Sequence, residues 1–167
     1  RGVYETVRTY FFPRRIDVPD HVWQLLARIY PTVDWERVGF YRGWPHVLRR
    51  GGFHAITLPD PHSFDRINVY FEPDAWRPDE RGGLATIVHE GYHVLQIQQM
   101  GGGYGVGLAR PFLAAYLAEW AGSGFSYAGH PMEEEAYHVA GRPTALFDRH
   151  MPGHVHEDPE DADDLEA

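Results

Sequence analysis

An order of strand-forming segments followed by helical ones predicts an α+β domain for this 167-residue chain. Three observations carry that reading. Two short runs, "FHAITLP" and "RINVYFEP", are rich in β-branched and aromatic residues, and each ends at proline. From about Glu80 to Met100 the pattern is helical until a breaker, "GGGYGVG", which cannot continue it. Beyond that breaker, two segments carry proline at a first helical turn, Pro111 and Pro131. With 43% hydrophobic and 14% aromatic residues, the chain has material for one core, so we expect a single domain over 1–156.

Taken in order, "VPDHVWQLLARIY" predicts a first helix starting near Pro19 or Asp20, with Val22, Leu25, Leu26 and Ile29 at helical spacing. A short strand follows around Val38 to Tyr41 and stops before Gly43 and Pro45. The strands "FHAITLP" and "RINVYFEP" come next, then the long helix to Met100. "RPFLAAYLAEW" predicts a helix apolar nearly all round and hence buried. "HPMEEEAYHVAG" predicts a short last helix framed by Pro131 and Gly141.

The formal charge of -9 is concentrated at one end, because residues 157–167, "EDPEDADDLEA", hold carboxylates and no base. That segment buries too little apolar surface to offset its ordering entropy, so it is expected to be a disordered acidic tail. Every one of the fifteen basic residues is arginine, and they form no cluster of the kind that binds nucleic acid. The absence of cysteine excludes disulfides and thiolate metal sites, leaving His and carboxylates as the strong ligands. No apolar run is long enough to cross a bilayer. "RGVYETVRTYFF" lacks a signal-peptide layout, so a cytoplasmic location is expected.

Within the long helix, "HEGYH" is an H-E-x-x-H pattern. On 3.6 residues per turn, His89 and His93 lie one turn apart with Gln96 on the same face, and both imidazoles reach one ion. Leu84, Ile87, Val88, Gly91, Val94 and Leu95 fall on the opposite face. Glu90 then sits beside that ion, placed to take the proton of a metal-bound water. Tetrahedral zinc with one open position requires a third protein ligand, and the cluster Glu133, Glu134 and Glu135 is the obvious donor. Glu133, Tyr137 and Ala140 share a helix face, while Glu135 points about 160° away. Of Tyr104, Tyr116, Tyr127, Tyr137 and His138, each able to donate to a developing oxyanion, we single out Tyr137. His150, His154 and His156 form a loose tract outside any predicted element.

"HEGYH" followed by "PMEEEAYHVA" resembles the gluzincin class of metallopeptidases, in which H-E-x-x-H is followed on a later helix by a glutamate ligand. The echo is of the E-x-E-A-D or E-x-x-A-D motif of prenyl-protein endopeptidase-like and minimal bacterial zincin domains. The resemblance spans residues 67–140. It implies a zincin-like fold, a small sheet beside the H-E-x-x-H helix with a helical half after it. It also implies Zn²⁺ held by His89, His93 and Glu133. Tyr137 stands where those families carry Asp or Asn to orient a zinc-bound histidine, which leaves that task to its hydroxyl or to another group.

These readings predict a zinc hydrolase that cleaves a peptide or amide bond, with Glu90 as general base and acid. A peptide or protein substrate would align on an edge strand, Ile67 to Phe71. Two alternatives share the residues. Two His and one carboxylate also describe an Fe(II) oxygenase triad, although Glu90 has no task there. A non-catalytic binding or regulatory module on a zincin scaffold is the other, since fold does not fix function.

Overall fold

Segments rich in β-branched and aromatic residues in the first half of the chain build a sheet, and segments of period 3.6 build the helices that pack with it. The computed structural model describes residues 13–43, 54–60, 66–100 and 130–141. Its strands are β1 (Arg14–Arg15), β2 (Val38–Arg42), β3 (Ala55–Pro59) and β4 (Ile67–Phe71). Its helices are α1 (Asp20–Ile29), α2 (Arg81–Met100) and α3 (Pro131–Gly141), with a 3₁₀ turn at Trp35–Arg37. The architecture is mixed α+β, as the segment order predicts. The predicted helix at 110–120, the glycine run, the C-terminal histidines and the acidic tail lie outside the described residues. No helix among the described residues is long and apolar enough to cross a membrane.

The strands lie in the order β1-β2-β4-β3. β2 and β4 are parallel, and the β1–β2 and β3–β4 pairs are antiparallel. This corrects one expectation: β4 is an interior strand and cannot align a substrate along a free edge. All five of its residues are buried, as befits a strand covered on both faces. Among the described residues the edge beside α2 belongs to β3. β1, two residues long, is too short to leave a periodic signal in the sequence.

Register decides which side chains meet the helices. Val38 pairs with Ile67 and Phe40 with Val69, while Thr57 pairs across the other side of β4 with the same Val69. Paired residues share a face, so Thr57 joins the apolar residues that point toward the helices. Trp23 of α1 meets Phe40 edge-on at 5.4 Å, and Phe40 stacks on Phe71 at 6.1 Å. α1 follows its sequence pattern, burying Val22, Leu25 and Leu26, with Asp20 in the first turn and Arg28 in the last to suit the helix dipole.

α1 and α2 approach closely at Gly91, inside the H-E-x-x-H pattern. A Cβ there would stand 2.8 Å from the Tyr30 ring and 3.1 Å from Leu26. The ring has little room to yield, because the Tyr30 hydroxyl donates to the Val88 carbonyl at 2.7 Å. Gly91→Ala gains about 1 kcal/mol of helix propensity, but overpacking against a pinned ring costs more. We expect a net loss of about 1–2 kcal/mol, lowering Tm by ~3–6 °C in a thermal unfolding scan. An unchanged or raised Tm would show that α1 yields freely.

Candidate metal centre

The face of α2 that carries His89, His93 and Gln96 has a polar pattern, yet α3 packs against the helix and all three are buried. α3 enters at Pro131 and places Glu133, in its first turn, against the two histidines. Glu133 is itself 5% exposed, so a carboxylate has been taken out of water beside two imidazoles. Such burial is costly unless the charge is paired or binds a metal.

The contacts are short. His89 Nε2 lies 3.1 Å from Glu133 Oε2, and His93 Nε2 lies 3.4 Å from Glu133 Oε1. The two Nε2 atoms are 3.2 Å apart. One donor atom from each residue falls within 4.8 Å of the others, a group able to hold a metal ion. The sequence placed His89, His93 and Glu133 together, and the structure brings them together.

Gln96 supplies something the sequence reading left without a role. Its Oε1 lies 2.9 Å from His93 Nδ1, so Nδ1 carries the proton and donates it, leaving Nε2 turned to the cluster with its lone pair. His93 is pulled in two directions. Burial lowers its pKa, but the hydrogen bond to Glu133, the charges of Glu90 and Glu133 and the Gln96 bond together outweigh burial and raise it.

Glu90 faces the sheet side of the same helix turn and is 4% exposed. Thr57 of β3 donates to its Oε2 at 2.6 Å. Burial raises the Glu90 pKa. The charges of His93 and His89 and the Thr57 bond lower it in part, and Glu133 pushes it up again, for a net rise. Burial thus makes Glu90 harder to ionise than an exposed carboxyl. Thr57 was missed in the sequence. No local pattern marks it, since only strand register and the approach of β3 to α2 reveal its partner.

Tyr137 lies at the rim, 65% exposed. Its ring centroid is 4.5 Å from that of His89, tilted by 52°. The contact is ring against ring, and His89 Nδ1 has no hydrogen-bond partner among the described residues. The Tyr137 hydroxyl therefore does not replace the histidine-orienting Asp of the resembled motif. Its pKa is raised by burial and by the charges of Glu133 and Glu90, which keeps the phenol protonated as a donor. His138 is exposed on the same helix, and Tyr104, Tyr116 and Tyr127 lie outside the described residues.

Glu135 points elsewhere. It accepts a hydrogen bond from the Tyr92 hydroxyl at 3.0 Å on the exposed side of the α2–α3 contact. Glu133→Gln is therefore expected to weaken metal binding ~10-fold or more, and Glu135→Gln to leave it within about 2-fold. Competitive chelator titration at fixed pH measures both, and a larger loss in Glu135→Gln overturns the assignment.

No family model, curated protein or solved structure matches this chain. The resemblance to gluzincins thus rests on the H-E-x-x-H spacing and the His89–His93–Glu133 cluster.

Proposed function

We propose that the chain is a zinc-dependent hydrolase, a zincin-like metallopeptidase that cleaves a peptide or amide bond. The observation that carries this reading is the convergence of His89, His93 and Glu133 beside a buried carboxylate, Glu90, that stands outside the ligand set. Donors at zinc distances and tetrahedral angles stand about 3.3 Å apart. The two Nε2 atoms, 3.2 Å apart, match that spacing, and Glu133 offers one oxygen to each, Oε2 at 3.1 Å from His89 and Oε1 at 3.4 Å from His93.

Zinc bound there supplies a Lewis acid that polarises the scissile carbonyl and acidifies the attacking water. The chain's own groups do the rest. Glu133 and the two histidines hold the ion, with Gln96 orienting His93. Glu90 takes the water's proton and gives it to the leaving nitrogen. Tyr137, from the rim, donates to the developing oxyanion. β3, at the edge beside α2, replaces β4 as the strand along which an extended peptide aligns. The iron-oxygenase alternative leaves Glu90 without a task, which is why hydrolysis is preferred.

The test is to strip the protein with a chelator and reload it with zinc or with Fe(II) under anaerobic conditions. We expect one zinc per chain and zinc-dependent cleavage of denatured casein or a quenched-fluorescent peptide library. A folded protein that retains no zinc, or turnover only with Fe(II) and oxygen, overturns the proposal.

A further inference from the structure

The Thr57 hydroxyl has two acceptors, and both belong to Glu90. It lies 2.6 Å from Oε2 of the side chain and 3.3 Å from the main-chain carbonyl. Thr57 is 6% exposed and Glu90 4%, so water does not compete for either group. The pairing of Thr57 with Val69 fixes its side chain on the helix-facing side of the sheet. A hydroxyl buried on an otherwise apolar face is unfavourable unless it is hydrogen-bonded, and its partner here is the carboxylate.

We propose that Thr57 is a positioning residue for Glu90, acting from the edge strand on the group that handles the proton. The inference rests on the hydrolase reading. The terminal torsion of a glutamate is broad and nearly two-fold, so a carboxylate does not by itself settle which oxygen faces the reaction. With Oε2 tied to Thr57, Oε1 is the oxygen left to take a proton. As the oxygen of the attacking water bonds to the carbonyl carbon, one of its O–H bonds breaks and the proton goes to Glu90. When the C–N bond breaks, the proton passes to the nitrogen. One water and one amide become one acid and one amine, and the carboxylate is restored. Thr57 touches neither substrate nor ion, and the Oε2 bond persists through both transfers. The same tether joins β3 to α2, so the strand that would align the peptide and the base that serves it are set by one contact.

The experiment compares zinc-loaded wild-type protein with Thr57→Val, which keeps shape and loses the donor, and Thr57→Ser, which keeps the donor. A purely structural role moves stability alone. A positioning role lowers kcat on the peptide library by ~10–100-fold in Thr57→Val, the scale of a slightly misplaced catalytic group. KM and zinc affinity then stay within about 2-fold and 3-fold, and Thr57→Ser recovers most of the rate. A double-mutant cycle of Thr57→Val with Glu90→Met, which removes the accepting oxygen, read from the unfolding equilibrium constant, should show coupling of about 5-fold or more. If Thr57→Val does not fold, Thr57→Ala against Thr57→Ser makes the same comparison.

A kcat within about 2-fold of wild type in the donor-free variant, equal damage in Thr57→Ser, or no coupling in the cycle overturns the proposal. A wild-type protein that binds zinc and shows the coupling but cleaves nothing removes the hydrolase reading and supports Thr57 as the residue that holds Glu90.

Discussion

Replacing His89 and His93 together by alanine is expected to abolish stoichiometric zinc binding. Their Nε2 atoms stand 3.2 Å apart and face the same carboxylate, so no other described group substitutes for them. Each single variant should lose more than ~100-fold in affinity, a larger loss than the removal of a supporting group causes at a metal site. Metal and proton compete for the same lone pair. Because His93 is held above its usual pKa, with the Glu133 bond and neighbouring charges outweighing burial, wild-type affinity should strengthen as pH rises through that range and weaken as pH falls. In His93→Ala this dependence should flatten. Elemental analysis and chelator titration across pH measure both effects, with circular dichroism to confirm that the variants fold. Full zinc occupancy in the double variant rejects the site.

Much of this site was legible because it depends on short-range periodicity. The i, i+4 spacing of His89 and His93 needs only a helix, and the run from Glu80 to the glycine breaker predicts α2 closely. Pro131 and Gly141 frame α3 by the same local logic, which puts Glu133 and Glu135 on different sides of the helix whatever packs against it. What stayed dark depends on pairing between distant segments. Strand order is not written in local alternation, and β4 was mistaken for an edge because its sequence, with Asn68 among apolar and aromatic residues, does not show that strands pair on both its sides. Thr57 gains its meaning from the register with Val69 and the approach of β3 to α2. The polar face of α2 was separable from its core ridge in the sequence, but its depth of burial beneath α3 was not. Tyr137 occupies the expected helix face, yet ring contact with His89 takes the place of the hydrogen bond that the motif suggested.

Glu90→Gln is expected to leave zinc content and fold intact while lowering turnover by ~10²–10⁴-fold. The amide matches the carboxylate in size, and its oxygen can accept the Thr57 hydroxyl that now donates to Oε2 at 2.6 Å. What it cannot do is take a proton. The fold should not suffer, and the sign follows from the pKa direction. Burial, with help from Glu133, lifts the Glu90 pKa more than His93, His89 and Thr57 lower it. Ionised Glu90 therefore destabilises the metal-free folded state once pH exceeds the unfolded carboxyl value, and that cost disappears as pH falls and the group is protonated. A neutral glutamine never incurs it, so metal-free Glu90→Gln should be at least as stable as wild type near pH 7. At low pH the two should converge. Thermal unfolding of the metal-free proteins reads the stability, and steady-state cleavage by the zinc-loaded proteins reads the chemistry. A parallel loss of zinc would move Glu90 into the ligand set. Turnover equal to wild type would remove it as the base, and the hydrolytic role that separates this site from an iron triad would go with it.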